Sequence, residues 1–303
     1  IGKFKNLLFI FPIILISFYY SIYQFEGQSA VDGGLVLSGL VKFPDDFLNV
    51  KSIFYNGWTI LHQFTFILLK MNFSVDFVST ILIFIVTVFY TLGTFFLVLG
   101  FNHSKIFALA LSLVVIISRE NFGDIDYPVI YFSEHTYGAF SLSTFTLIAG
   151  LLSNKNYKSA GFFSALLFAS HLVIGFWVIL LFAFLYIIFL IFDKNFDNND
   201  FKKILVGIFF IIVPLILSFI YFQLNLIDKN IYDIKDLNIY LNQWDYHRNI
   251  STFHFGYIIK TLILIFSLSI YFFYCNTFKS SIFYLFIVFS CIGSMMIYLS
   301  IKI

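Results

Sequence analysis

The chain has 303 residues, 60% of them hydrophobic and 11% charged, with a net charge of +2 and a mean hydropathy of +0.94. Water-soluble domains carry about 25% charged residues, so this composition excludes a soluble globule, and the small, scattered net charge excludes a nucleic-acid partner. Apolar stretches long enough to cross a bilayer, without the alternation of barrel strands, predict an all-α polytopic transmembrane helical bundle.

The predicted spans follow one another along a single transmembrane domain, residues 1–303. The apolar run 159–192 is too long for one crossing, and we predict two helices that meet near Ser170 and His171. The total is about nine spans, within a range of about eight to eleven. The remaining spans are 6–24, 78–100, 104–118, 139–153, 204–224, 257–275 and 280–301. Because the chain stops in or just after an apolar segment, we expect a fragment that lacks a C-terminal part.

Segment 52–70 leaves two topologies open, because it is long enough to cross a membrane but carries polar residues such as His62 and Gln63. If the segment lies in the interface, the inner side receives nine basic and three acidic residues, and the outer side nine basic and thirteen acidic. Short lysine-containing connectors then face the cytoplasm, as the positive-inside rule requires. We therefore favour interfacial helices in a first outer loop and a cytoplasmic N-terminus. The polar outer loops are then 25–77, 119–138 and 225–256.

The first two outer loops hold carboxylates that could carry acid, base or metal chemistry. Asp32 precedes Gly33 and Gly34 in the first loop, where it either approaches a ligand closely or caps an interfacial helix. Asp124 and Asp126 in the second loop are one residue apart and point to the same side of an extended segment. Such a pair suits a divalent metal or a polyhydroxylated ligand, although two solvated carboxylates in a loop have the same spacing. A metal cofactor, if the protein has one, would be a divalent ion held by this pair.

Two arginines, Arg119 and Arg248, remain in a chain with sixteen lysines, and both map to the outer face. A guanidinium binds phosphate or carboxylate through two parallel hydrogen bonds, so both are candidate phosphate ligands; salt bridges to neighbouring acids are the alternative. Trp244 and His247 precede Arg248 and are candidate substrate contacts, although tryptophan at a membrane surface is also a common anchor. His171, at the outer end of its helix, is a further candidate contact or a hydrogen-bonded packing residue.

The order of these features resembles the GT-C fold of membrane glycosyltransferases over about residues 1–224. A first span precedes a long outer loop with an early acid and interfacial helices. Two spans joined by a short basic connector follow, and then a second outer loop with an acidic pair. The resemblance implies transfer of a sugar from a polyprenyl-phosphate donor on the extracytoplasmic face. It also implies that Asp32 is the general base and that Asp124 and Asp126 assist it or bind metal.

We therefore expect an integral membrane glycosyltransferase of a bacterial inner membrane, whose partners are a polyprenyl-phosphate-linked sugar donor and membrane lipid. The chain has no nucleotide-binding motif, as expected for a donor that is not a nucleotide sugar. An O-antigen-type polymerase or ligase stays open, because such enzymes use outer-loop arginine and histidine. A transporter or lipid flippase stays open as well, although the charged groups at mid-membrane that transporters use are rare in this sequence.

Overall fold

The computed structural model describes most of the first 224 residues and a few positions beyond them. Its continuous segments are 2–23, 31–41, 58–101, 103–117, 136–172, 174–180 and 198–224, and its isolated positions are 183, 187, 259, 263, 266, 267 and 270. The chain divides into two compact units, one of residues 1–179 with 197–228 and the other of residues 180–196 with 229–303. In the second unit each described residue is helical.

The described segments of the first unit are built from α-helices, with no strand among them, which confirms the all-α prediction for this part of the chain. In chain order the helices are α1 (Gly2–Tyr23), α2 (Asp32–Ser38), α3 (Ile60–Lys70), α4 (Val75–Gly100), α5 (Lys105–Ile117), α6 (Thr136–Ser153), α7 (Tyr157–Ser170) and α8 (Asn198–Leu224). Residues 174–180 form a further helical stretch after α7.

Helix α4 lies at the centre of the first unit and packs against α1, α5 and α6. It has 26 residues and α8 has 27, and within the described residues these two are long and apolar enough to cross a membrane. They correspond to the predicted spans 78–100 and 204–224. Shorter apolar helical stretches lie at Leu8–Ile22, Ile60–Lys70, Lys105–Val114 and Gly138–Ser153. The number of about nine spans stays a prediction.

Large apolar side chains are exposed on the outer surface of the first unit. Only 17% of the most apolar stretch of α8 is buried, against 44% for α4. Large side chains such as Phe209, Leu217 and Leu224 of α8, and Leu8 and Phe11 of α1, are each more than half exposed. Large exposed apolar surfaces mark contact with a membrane or a partner. The surfaces of α1 and α8 therefore support the prediction that this is a membrane protein.

The contacts of the helices with α4 define two ends of the bundle, which we call the Val75 end and the Gly100 end after the limits of α4. Ile13 of α1 and Ala108 of α5 pack with Phe95, in the half of α4 nearer the Gly100 end. Ser17 of α1 pairs its hydroxyl with that of Thr91 at 3.4 Å. Helices α1 and α5 therefore run from the Gly100 end towards the Val75 end, antiparallel to α4.

Candidate functional site

Helix α3 settles how residues 60–70 are folded, within the segment whose topology the sequence left open. It has 11 residues, and at about 1.5 Å per residue it is roughly 16 Å long, about half the thickness of a hydrocarbon core. Thr59 begins the helix, because its hydroxyl accepts a hydrogen bond from the backbone N–H of His62 at 3.1 Å. A helix of this length supports the interfacial topology over a crossing.

Helix α2 packs directly against α3 through two glycines. A Cβ atom at Gly33 would overlap the imidazole of His62, and one at Gly34 would overlap the side chain of Thr65. Glycine is therefore required at both positions for the two helices to approach this closely. The glycines serve helix packing here, and the prediction that they bring Asp32 close to a ligand stays untested.

Helix α3 carries buried polar side chains that the sequence did not identify as part of a site. His62 and Gln63 are each 7% exposed and Thr65 is fully buried. The Thr65 hydroxyl donates to the Leu61 carbonyl at 2.9 Å. Buried imidazole and amide groups are costly unless they are hydrogen-bonded. They distinguish this short helix from the helices packed against it, whose described buried polar side chains are serines and threonines. The signal in the sequence is a pair of polar residues, His62 and Gln63, inside an apolar run.

The α2–α3 pair and the starts of α4 and α6 form one apolar cluster at the Val75 end. Val31, Leu61, Val78, Ala139 and Phe140 are all buried in it. The cluster therefore fixes both short helices to the bundle at the end where α4 and α6 begin.

Asp32 is the first residue of α2, and its side chain is exposed. The residue before it, Val31, makes no side-chain cap. The carboxylate of Asp32 is the acidic group of the first helical turn. A negative charge at this place is favoured by the partial positive charge of the helix N-terminus. Both predictions for Asp32 remain compatible with this position: an acid that stabilises the helix start, and an accessible base at the Val75 end.

His171 lies at the helix break that the sequence predicted near Ser170. Helix α7 ends at Ser170, and His171 has extended backbone angles of φ −148 and ψ 96. Its Nδ1 accepts a hydrogen bond from the backbone N–H of Ile174 at 3.4 Å, and its carbonyl accepts one from Gly175 at 2.9 Å. His171 therefore caps the helical stretch that follows. This agrees with the second of its two predicted roles, that of a hydrogen-bonded packing residue. Whether it also contacts a substrate stays a prediction.

The other predicted site residues lie outside the described residues. They are Arg119, Asp124, Asp126, Trp244, His247 and Arg248. Among the described residues no group of three or more His, Cys, Asp or Glu side chains could hold a metal ion. The predicted metal pair, Asp124 and Asp126, is not among the described residues.

The helices that flank the second predicted loop can be followed to the Val75 end. Ile116 of α5 packs with Tyr20 near the end of α1, and Ala139 and Phe140 near the start of α6 lie in the cluster that holds α2 and α3. Leu166 of α7 packs against the same cluster, four residues before α7 ends. The chain therefore enters and leaves residues 118–135 at the end of the bundle that carries Asp32, and His171 follows at that end.

The charged side chains divide unequally between the two ends. In the described part of the chain, the helix starts and connectors at the Gly100 end carry seven lysines and one carboxylate, namely Lys3, Lys5, Lys105, Lys155, Lys158, Lys202, Lys203 and Asp200. The Val75 end carries Asp32, Asp76 and Lys70. An excess of lysine at one end is the distribution that the positive-inside rule expects of a cytoplasmic end.

Comparison with known proteins provides no further constraint. The chain matches no protein-family model, no curated protein and no solved structure at a significant level. Its function therefore has to be inferred from its own residues and their arrangement.

Proposed function

We propose that this chain is a multi-pass glycosyltransferase of a bacterial inner membrane, with about nine spans and a cytoplasmic N-terminus. It moves a sugar from a polyprenyl-phosphate donor to an acceptor on the extracytoplasmic face. The apolar surface of α1 and α8 supports the membrane location, and the excess of lysine at the Gly100 end supports the orientation. In this orientation the Val75 end, with its short helices, faces the outside.

The observation that carries the proposal is the position of Asp32. Its exposed carboxylate stands at the start of a helix that the glycine contacts with α3 fix to the bundle, at the end where residues 118–135 begin and finish. The end of α5 and the start of α6, which flank the second loop, therefore lie at the end of the bundle that carries Asp32. This supports the proposal that Asp124 and Asp126 of that loop assist Asp32.

The proposed reaction uses one proton acceptor and one anion-binding group. Asp32 accepts the proton of an acceptor hydroxyl, whose oxygen attacks the anomeric carbon of the donor sugar. The bond from that carbon to the phosphate oxygen breaks, and polyprenyl phosphate leaves. Arg119 and Arg248 are the proposed ligands of the departing phosphate. A planar guanidinium can donate two parallel hydrogen bonds to two oxygens of one phosphate group. Trp244, His247 and His171 are the remaining proposed substrate contacts.

The buried polar groups of the described helices favour an enzyme at one end of the bundle over a transporter. Apart from His62 and Gln63 of α3 and the phenol of Tyr20 in α1, they are serine and threonine hydroxyls, and no charged side chain is buried among the described residues. Thr87, Ser112 and Thr144 donate to carbonyls four residues earlier, at 2.7 Å in each case. Hydroxyls satisfied within their own helix do not form the polar mid-membrane site that a transporter uses.

The experiment that tests this function compares Asp32→Asn with Asp76→Asn. Membranes that contain each variant are assayed for transfer of radiolabelled sugar from a panel of polyprenyl-phosphate hexoses. We expect Asp32→Asn to lower the rate by about 10² to 10⁴-fold, because loss of a general base removes that much catalysis. Asp76 is also exposed and also lies in the first turn of a helix at the Val75 end, so it controls for the lost charge.

The outcomes test two hypotheses separately: that Asp32 is the base, and that the protein is a glycosyltransferase. A full rate for Asp32→Asn would exclude Asp32 as the base. An absence of transfer from every donor by the unsubstituted protein would contradict the glycosyltransferase. Accumulation of single repeat units on a lipid carrier after deletion of the gene would instead support the polymerase.

A further inference from the structure

A group of lysines at the Gly100 end is unrelated to the proposed reaction, which takes place at the Val75 end. Helices α7 and α8 begin there, and Lys158, Asn199, Lys202, Lys203 and Val206 line a shallow cavity of about 310 Å³ between them. All five side chains are exposed. The cavity is therefore open to solvent and lined mainly by cations.

Close packing of the two helices fixes the position of Lys158. A Cβ atom at Gly161 would overlap the carbonyl of Ile204, and one at Gly207 would overlap the carbonyl of Lys158. The two backbones are thus in contact at this crossing, as small residues permit in membrane helices. The Nζ of Lys158 lies 4.2 Å from the centre of the Phe210 ring. Lys158 is therefore held against α8, beside the lysines of the first turns of α8.

The positive charge of the cavity exceeds the negative charge beside it. Lys203 forms an ion pair with Asp200 at 2.7 Å, and the lysine is 57% exposed in this pair. Among the described residues, three lysines and one carboxylate therefore stand together, which leaves two more positive than negative charges at the cavity. An exposed pair of this kind is weak, so Lys203 also contributes to the potential of the cavity.

The surface next to the cavity is apolar. Val206, Phe209 and Phe210 follow on α8, and each is exposed to 45% or more. A cationic cavity at the end of a helix, with an apolar face directly beyond it, matches a molecule with an anionic head and a hydrocarbon tail. An apolar face of this kind offers nothing to a soluble anion, which would need the lysines alone.

We propose that the start of helices α7 and α8 is a binding site for the anionic headgroup of a membrane phospholipid. The phosphate lies between Lys158 and Lys202, the amide of Asn199 donates to it, and the acyl chains lie along Val206 and Phe209. The site is independent of the proposed glycosyl transfer. It would favour anionic over zwitterionic lipid around this end of the bundle, which strengthens the same orientation that the lysines already favour.

The test uses the purified full chain in non-ionic detergent, with phosphatidylglycerol, phosphatidylcholine and inorganic phosphate as probes. Native mass spectrometry gives the affinity for each lipid. We expect preferential binding of phosphatidylglycerol, and a loss of about tenfold or more in the Lys158→Gln/Lys202→Gln variant, since each lysine near an anionic surface contributes roughly a fivefold factor. Lys203 is retained because its partner Asp200 would otherwise be left alone.

The matched control is Lys105→Gln/Lys155→Asn, which removes two charges from the same end outside the cavity. Lys155 has a positive φ of 58, a conformation that asparagine tolerates. We expect the control to change the affinity for phosphatidylglycerol by less than about twofold. Undiminished binding by the first variant, or an equal loss in the control, would overturn the proposal. Displacement of phosphatidylglycerol by millimolar inorganic phosphate would assign the cavity to a soluble anion and would also overturn it.

Discussion

The two ends of the first unit differ in how the chain connects its helices. At the Gly100 end the connections are tight: residues 101–104 join α4 to α5, and residues 154–156 join α6 to α7. Asn154 reinforces the second turn, because its amide donates to the Gly150 carbonyl at 2.8 Å and to the Phe96 carbonyl of α4. At the Val75 end a short turn, 71–74, joins α3 to α4, but longer stretches, 39–59 and 118–135, separate α2 from α3 and α5 from α6, and two short helices are packed on the bundle.

The difference in connections suits the two ends of the bundle to different roles at the membrane surface. Tight turns expose little more than their own lysines, which suits contact with anionic lipid and control of orientation. Long connections with short docked helices can bring several polar side chains to one place, which a reaction requires. Chemistry is therefore expected at the Val75 end, and lipid contact at the Gly100 end.

The largest effect on stability is expected from Gly33→Ala, which tests whether α2 depends on its fit to α3. The new Cβ overlaps the His62 ring, and overpacking of this kind costs about 1–3 kcal/mol. We expect a lower midpoint of thermal unfolding in detergent and a loss of sugar transfer, since Asp32 is no longer held.

The matched control is Gly138→Ala at the start of α6. A Cβ atom there meets nothing within 4 Å, and the position lies at the same end of the bundle. We expect unchanged or slightly higher thermal stability, because alanine is the better helix former. Equal unfolding midpoints for Gly33→Ala and Gly138→Ala would show that α2 does not depend on this contact.

A smaller effect is expected from Thr59→Ala, which removes the side-chain cap of α3. The loss should be about 1 kcal/mol, and the amides of the first turn of α3 should exchange faster with solvent. Ser104→Ala removes the same kind of cap at the Gly100 end, where the Ser104 hydroxyl accepts from the Phe107 N–H at 3.2 Å. This control should leave exchange in α3 unchanged, and protection of α3 unaltered by Thr59→Ala would contradict the role of the cap.

Much of the fold could be predicted from the sequence, because the signals are local. The predicted span 78–100 corresponds to α4, which begins three residues earlier because Ser74 caps it by accepting from the Phe77 N–H. The break near Ser170 and His171 was predicted from the length of one apolar run, and it is confirmed. In each case the hydropathy of consecutive residues contained the necessary information.

The α2–α3 contact could not be predicted, because it joins segments that are distant in sequence. Gly33 and His62 are separated by nearly thirty residues, and no local pattern specifies which side chain covers a glycine. The glycines of the α7–α8 crossing were missed for the same reason. Of the predicted site residues, Asp32 and His171 have described positions at the Val75 end, and the roles proposed for them stay predictions.

The central claim is that the Val75 end faces the outside of the cell and the Gly100 end the cytoplasm. The most direct test is cysteine labelling of Met71→Cys and Asn156→Cys, at exposed turns of the two ends, with native Cys275 and Cys291 replaced by serine. Intact spheroplasts are treated with a membrane-impermeant maleimide, before and after permeabilisation. We predict that the Met71→Cys variant is labelled in intact spheroplasts and that the Asn156→Cys variant is labelled only after permeabilisation. Labelling of Asn156→Cys in intact spheroplasts, or protection of Met71→Cys there, would contradict the orientation and the site built on it.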